Sequence, residues 1–246
     1  MKVSTRIIGV IPARYASTRL PGKPLALIHG KPMIQRVWER VLQSKYIDLV
    51  MVATDDVRIS RTVFRFGGEF VMTSTKHKSG TDRIYEAVED IDCDIVVNIQ
   101  GDEPFINPAD IDKAIKPLLV YKDISVSTLC CEIKNKNEID DPNVVKVIMD
   151  KDDNAIYFSR LPVPYKRKKD EKVKYYKHIG LYAFRKNFLA RYVKMKQSTL
   201  EKAEKLEQLR ILENGEKIKV VKTAHESVSI DTKEDLVRIN RNKKFK

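Results

Sequence analysis

Between Gly9 and Pro24 the sequence reads GVIPARYASTRLPGKP, and this stretch limits what the chain can become. Ile7, Ile8, Val10 and Ile11 form a short apolar run with the character of a buried strand. The run breaks at Pro12, and the turn that follows carries Arg14, Arg19 and Lys23, with Ser17, Thr18 and Gly22 between them. In an open α/β sheet, ligands bind at the C-terminal ends of the strands. Small residues let backbone N–H groups approach an anion there, and fixed cations neutralise it. Two prolines and a glycine stiffen the loop, which suits a preorganised polyphosphate site better than a solvated basic loop. The spacing is neither G-x-x-x-x-G-K-[ST] nor G-x-G-x-x-G, so a Walker loop and a dinucleotide fold are both disfavoured.

Strand, loop and helix then alternate. Residues 31–44 place Ile34, Val37, Trp38 and Val41 on one helical stripe, and Leu49 to Ala53 reads as a short buried strand. Thr54-Asp55-Asp56 caps the next helix, with Asp55 read first as the cap. Phe70 to Met72 is another strand, after which Ser79 or Thr81 opens a helix bearing Ile84, Ala87, Val88 and Ile91, its free N–H groups facing the pocket. Asp94 to Ile99 is a strand apolar on both faces that ends in Gln100-Gly101-Asp102-Glu103-Pro104. A carboxylate on a tight glycine turn at a strand end suits Mg²⁺, which takes one or two carboxylates beside phosphate oxygens; a turn aspartate is the bland reading. Asn107-Pro108 starts a helix, and Ile124 to Ile133 is a strand.

The pattern then changes. Asp141 to Val147 and Ala155 to Arg160 read as antiparallel strands, and YKRKKDEKVKYY (165–176) as a polar surface excursion. His178 to Phe184 alternates as a strand. Ser198 to Gly215 reads as one helix with a Ser198–Glu201 capping box and Leu206, Leu209 and Leu212 on one side. Lys217 to Thr223 is a strand, and Thr232 with Asp235 caps a final helix. The expectation is an α/β fold: a nucleotidyltransferase-type, mostly parallel sheet flanked by helices. It is read as a single domain over 1–246, with a strand-rich insertion at about 125–190.

The 246 residues, 42% of them hydrophobic, suffice for a full core. Lys plus Arg number 47 against 34 Asp plus Glu, and the net charge of +13 suggests an acidic partner. Many of the lysines fall on exposed helix faces, where they serve solubility, so nucleic acid is the weaker choice. Cys93, Cys130 and Cys131 have no metal-ligand spacing and read as core thiols of a reducing compartment. With no signal-peptide core and no apolar run of spanning length, a cytoplasmic protein without membrane attachment is expected.

PARYASTRLPGKPL, HKSGTDR, QGDEP, KHIGLYAF with LEQLR, and SIDTKEDL occur in this order from Ile7 to about Leu236. Together they resemble the sugar nucleotidyltransferases that activate acidic sugars with CTP, most closely the 3-deoxy-manno-octulosonate cytidylyltransferases. The resemblance implies transfer of CMP from CTP to the anomeric hydroxyl of 3-deoxy-D-manno-octulosonate, with pyrophosphate released, for lipopolysaccharide biosynthesis. It places Ala13, Arg14, Ser17, Lys23, Thr73, Ser79, Gly80, Gln100 and Asp102 at the nucleotide, and Asp102 and Asp231 on Mg²⁺. It places Arg160, His178, Tyr182, Glu207 and Gln208 at the sugar, and Arg14, Lys23, Asp102 and Asp231 in catalysis. A homodimer is implied as well. Taken alone, Asp231 reads as part of a helix cap, His178 as a structural strand histidine, and Glu207 and Gln208 as a solvated helix face. A sialic-acid or 8-amino-sugar enzyme, a nucleic-acid binder and an inactive sugar-nucleotide sensor remain as alternatives.

Overall fold

Short β-branched runs make the strands. The computed structural model describes residues 5–16, 19–77, 79–168, 172–226 and 228–242. Strand β1 (Ile7–Ala13) is buried along nearly its whole length, which needs cover on both faces and neighbours on both edges. β2 (Leu49–Thr54) and β4 (Ile95–Asn98) pair with it in parallel on its two sides. β3 (Glu69–Met72) adds to β2, also in parallel, so the order is β4–β1–β2–β3. Helices connect the strands: α1 (Met33–Val41), α2 (Val57–Arg65) and α3 (Gly80–Val88). Before α1, Leu27–Ile28 and Lys31–Pro32 form a small antiparallel ladder, so that helix starts two residues later than its periodicity suggests. Its core stripe is Met33, Ile34, Val37 and Val41, while Trp38 is half-buried against Phe66 with ring centroids 5.3 Å apart.

After α4 (Pro108–Val120) come β5 (Val126–Glu132), β6 (Lys146–Met149), β7 (Ala155–Ser159) and β8 (Tyr176–Arg185). β5 runs antiparallel to β8, β8 to β6, and β6 to β7. Helices α5 (Lys186–Tyr192), α6 (Thr199–Glu204) and α7 (Leu209–Glu213) follow, and β9 (Lys219–Thr223) pairs with β5 in parallel. The last helix is α8 (Lys233–Arg241).

The chain divides into two compact units, residues 1–112 with 227–246, and residues 113–226. The first holds the parallel strands β1 to β4; the second holds β5 to β9, which pair in both senses, and contains the strand-rich stretch read at 125–190. In the first unit Leu20, Ile28 and Met33 form a buried cluster with Ile230 and Ile239. Asn240 adds a polar pin, accepting from the His29 N–H at 2.7 Å and donating to the Leu27 carbonyl at 3.0 Å. Together these hold the segment before α8 beside the loop after β1.

The single helix expected over 198–215 is two. Lys205 adopts a left-handed conformation (φ 55°) that ends α6, and Glu207 and Gln208 lie in the bend before α7. The cap of α2 is Asp56, whose carboxylate accepts from the Arg58 N–H at 2.9 Å; Asp55 is used elsewhere. Cys93, Cys130 and Cys131 are free and buried, and burial pushes the Cys130 thiol up to about 12. Among the described residues no helix is long and apolar enough to cross a membrane.

Candidate active site

The loop after β1 is held at three points. Gly22, at φ 67°, donates its N–H to the Tyr15 carbonyl at 3.0 Å and lies against the Tyr15 ring, where a side chain would be both strained and crowded. The Arg58 guanidinium covers that ring at 3.2 Å and is itself held by Asp56. Leu20 anchors the loop in the buried cluster. Lys23 therefore leaves a stiff turn, with Pro24 following it in a single 3-10 turn.

Two carboxylates meet Lys23. Its Nζ lies 2.6 Å from Asp102 Oδ2 and 2.9 Å from Asp231 Oδ1, and Arg19 Nη2 reaches the same Asp231 oxygen at 3.0 Å. Asp102 stands on the turn after β4. A Cβ on Gly101 would sit 2.9 Å from the Pro12 carbonyl oxygen, so only glycine lets this turn press against β1. Asp231 arrives from the other end of the chain, and the Ile230 N–H donates to the Asp102 carbonyl at 3.0 Å. Thr232 and Asp235 form the capping box of α8, and Asp231 joins it only through its N–H, which donates to Asp235 at 3.2 Å, so the Asp231 side chain does not cap the helix. The Asp231 carboxylate is thereby left for the cations.

Two aspartates converging on one cation suit a hard divalent ion that takes its remaining ligands from phosphate and water. Among the described residues, no group of three or more His, Cys, Asp or Glu gathers into an all-protein metal cage. Asp102 and Asp231 are oxygen donors of the type that Mg²⁺ takes beside phosphate oxygens.

Arg14 extends beyond β1 toward the start of α3. Its Nη2 donates to the His77 carbonyl at 2.7 Å and the Ser79 carbonyl at 3.1 Å. Among the described residues Nε and Nη1 have no protein partner, which leaves that edge for an anion. Ser79 is the cap of α3, its Oγ accepting from the Asp82 N–H at 3.1 Å. Gly80 follows as the first helical residue, and a Cβ there would make only ordinary contact with Pro12. Behind them His77 bonds Glu86, which also accepts from the Ser74 N–H at 2.9 Å. Burial would raise the Glu86 carboxyl, but His77, the Ser74 N–H and Arg83 outweigh it and hold it below its ordinary value.

Thr73, just beyond β3, is buried. Its N–H donates to the Thr54 carbonyl at 2.8 Å, and its hydroxyl accepts from Arg83 Nη1 at 2.5 Å. Arg83 is fully buried and pairs with Asp55 at 2.6 Å, a loop carboxylate and not one on its own helix. Ala13 is the buried last residue of β1, and Gln100 is half-buried, its carbonyl receiving the Glu103 N–H at 3.3 Å. Ser17 lies outside the described residues.

The residues assigned to the sugar all lie in the second unit. His178 and Tyr182, on either side of a bulge in β8, belong to an aromatic ladder running Phe158, His178, Tyr182, Phe184, Tyr192. Thr128 meets His178 Nε2 at 3.0 Å. Burial of the ring pushes His178 down to about 3, so it is neutral throughout the physiological range. Burial likewise raises the Tyr182 phenol, whose hydroxyl faces Thr128 without completing a hydrogen bond of good geometry. The Glu207 carbonyl accepts from the Tyr192 hydroxyl at 2.8 Å, and Gln208 is buried beside it. Arg160 follows β7 and donates from Nε to the Glu204 carbonyl at 2.7 Å and from Nη1 to the Pro142 carbonyl at 2.8 Å.

Several contributors escaped the sequence reading: Arg19 on Asp231, Asp55 on Arg83, Glu86 behind His77, Arg58 over Tyr15, and Lys146 and Glu204 around Arg160. Most of these pairs lie far apart in sequence, and even His77 with Glu86, nine residues apart, follows no motif spacing.

Residues 8–218 match the family model described as cytidylyltransferase. The 3-deoxy-manno-octulosonate cytidylyltransferase of Geobacter metallireducens is 49% identical, covering 95% of this chain and 96% of its own. That of Pelobacter propionicus is 50% identical, over 94% and 95%. A solved structure of CMP:2-keto-3-deoxy-manno-octonic acid synthetase complexed with CTP superposes with a TM-score of 0.93 at 43% identity, over 96% of this chain and 98% of that one. The 4-diphosphocytidyl-2C-methyl-D-erythritol synthase of Anaerococcus prevotii, at 18% identity and a TM-score of 0.64, shares the fold. On this ground the chain belongs to the cytidylyltransferase family and, within it, to the 3-deoxy-manno-octulosonate cytidylyltransferases.

Proposed function

We infer that this chain transfers CMP from CTP to the anomeric hydroxyl of 3-deoxy-D-manno-octulosonate, forming the CMP-sugar and pyrophosphate. The observation that carries the reading is the meeting of Lys23, Asp102 and Asp231 at the end of β1, in a chain 43% identical to a synthetase complexed with CTP. The hydroxyl oxygen forms a new bond to the α-phosphorus as its proton passes to solvent and the bond from that phosphorus to the bridging oxygen breaks, releasing pyrophosphate. Little covalent chemistry is asked of the protein, so positioning and charge carry the catalysis. Arg14, fixed by two carbonyls, turns its unpaired edge to the triphosphate. Lys23 adds its charge to the phosphate oxygens. Asp102 and Asp231 would hold Mg²⁺, which when bound supplies positive charge at the α-phosphate. Ala13, Ser17, Thr73, Ser79, Gly80 and Gln100 line the nucleotide side.

On the acceptor side Arg160 takes the sugar carboxylate, since a guanidinium matches a carboxylate bidentately. Glu207 and Gln208 take hydroxyls, while His178 and Tyr182 form a wall in which a neutral imidazole acts through hydrogen bonds and shape. The assignment includes a cytoplasmic homodimer, which light scattering of the purified protein tests.

Replacing Asp102 or Asp231 with Asn removes a hard oxygen donor while keeping the shape. Each variant is expected to lose on the order of a hundredfold or more in kcat with its circular dichroism unchanged. Near-normal turnover by Asp102→Asn would overturn the assignment of the clamp.

A further inference from the structure

Lys146 is the first residue of β6 and is fully buried, an unusual place for an ammonium. Among the described residues no carboxylate forms an ion pair with it. Its Nζ instead donates to three backbone carbonyls, those of Asp141 at 3.0 Å, Val144 at 2.7 Å and Arg160 at 2.6 Å. Burial pulls its pKa down, while the charges of Asp141, Asp140 and Glu204 push it back up.

Glu204, the last residue of α6, shows the same economy in reverse. Its carboxylate accepts from the Ser159 hydroxyl at 2.9 Å and the Arg160 N–H at 3.0 Å, both neutral donors. Arg160 is thus gripped at its N–H by the Glu204 carboxylate, at its carbonyl by Lys146, at Nε by the Glu204 carbonyl and at Nη1 by the Pro142 carbonyl. None of the acceptors of its guanidinium carries a charge. Among the described residues Nη2 has no protein partner. The guanidinium is therefore immobilised without being neutralised, and a buried lysine beside it adds a second fixed positive charge.

Two other arginines of this chain are paired with carboxylates, Arg210 with Glu201 and Arg83 with Asp55, while Arg185 is held by the carbonyls of Leu118, Tyr121 and Ile124, with no carboxylate at its guanidinium among the described residues. Arg160 has a carboxylate close by, and that carboxylate is spent on main chain and hydroxyl. We propose that Glu204 and Lys146 are positioning residues for Arg160: they lock its backbone at the N–H and at the carbonyl and leave its charge unspent for the carboxylate of the acceptor sugar. The inference rests on the reading of Arg160 given above, and it assigns to two residues without substrate contact a share in selecting acidic sugars.

The test compares Arg160→Met, Glu204→Gln, Lys146→Met and the double variant Arg160→Met/Glu204→Gln in steady-state pyrophosphate release, with KM for the octulosonate and for CTP measured separately. Glu204→Gln and Lys146→Met are each expected to raise KM for the sugar on the order of tenfold, with KM for CTP unchanged. The double variant is expected to be no worse than Arg160→Met alone, because both lose the same interaction. Glu204→Asp, which keeps the charge, is expected to recover part of the effect.

Should Lys146→Met fail to fold after three carbonyls lose their donor, Glu204→Gln and the cycle decide. If Arg160→Met leaves the sugar KM unchanged, the assignment of Arg160 fails. If Arg160→Met raises it but Glu204→Gln does not, or does so undiminished in the Arg160→Met background, the positioning role alone is overturned.

Discussion

Lys23 holds two aspartates that would otherwise repel one another, and its ammonium stands where they would share a metal ion. Removing it as Lys23→Met is expected to tighten nucleotide-free Mn²⁺ binding about tenfold, since the competing cation is gone, while turnover falls. Electron paramagnetic resonance titration of Mn²⁺ measures this, and unchanged or weaker binding would contradict it. Elsewhere in the first unit, Asp55 balances the fully buried Arg83, and Asp55→Ala strands that charge. Urea unfolding is expected to show a loss of about 3 kcal/mol. His178, held neutral by burial down to about 3, is expected to show no imidazole titration between pH 5 and 8 by NMR. Its folded pKa lies below its ordinary 6.5, so the unfolded chain binds the proton first, and His178 costs stability as pH falls from 6.5 toward 3. At this scale Arg14, Lys23 and Asp102 could be named as candidates because motif and chemistry coincide in a few adjacent letters, whereas Asp231 came only with the family resemblance. The contacts of Lys146 and Glu204 with Arg160, 14 and 44 residues away, and of Arg58 with the Tyr15 ring were not legible, because no local motif joins those residues.

Among the elements, the turn after β4 and the bend between α6 and α7 matter most. Gly101→Ala must push the QGDEP turn off the Pro12 carbonyl, and with it Asp102. Loss of most kcat with the fold retained is the expected outcome, and unchanged kcat would show that the close approach is dispensable. The bend ends α6 early, and the buried Arg210–Glu201 pair, at 2.6 and 2.7 Å, ties the two helices across it. Burial would raise the Glu201 carboxyl, yet Arg210 and the Ser198 N–H prevail and hold it below its ordinary 4.5. This stabilisation is present above 4.5 and is lost as pH falls through the lower folded value. A Glu201→Gln/Arg210→Met variant is therefore expected to have a flatter acid limb in stability against pH than the parent. The sequence reading took this stretch as one helix because Leu206, Leu209 and Leu212 keep helical spacing; a left-handed Lys205 leaves no signature in the letters. The cap of α8 was legible, since Thr232 and Asp235 satisfy each other locally.

Over the whole molecule, β1, β2 and β4 of the first unit were readable from apolar runs ended by loops, because a strand buried on both faces has no polar alternation to obscure it. The division at residues 112 and 227 was not readable, as it falls inside α4 and next to a short coil, with no composition shift at either place. The long return of the chain brings Ile230 and Asp231 to the loop after β1, and no window of sequence contains both. The net charge of +13 is then an electrostatic field for anionic substrates more than a sign of a nucleic-acid partner. The central claim is the coupling of CTP to an acidic 3-deoxy sugar. Pyrophosphate release should be followed with Mg²⁺ and each of the four nucleotides, against 3-deoxy-D-manno-octulosonate and against sialic acid. Release confined to CTP with the octulosonate is the predicted result; no release with that pair from folded, metal-supplied protein would contradict the account.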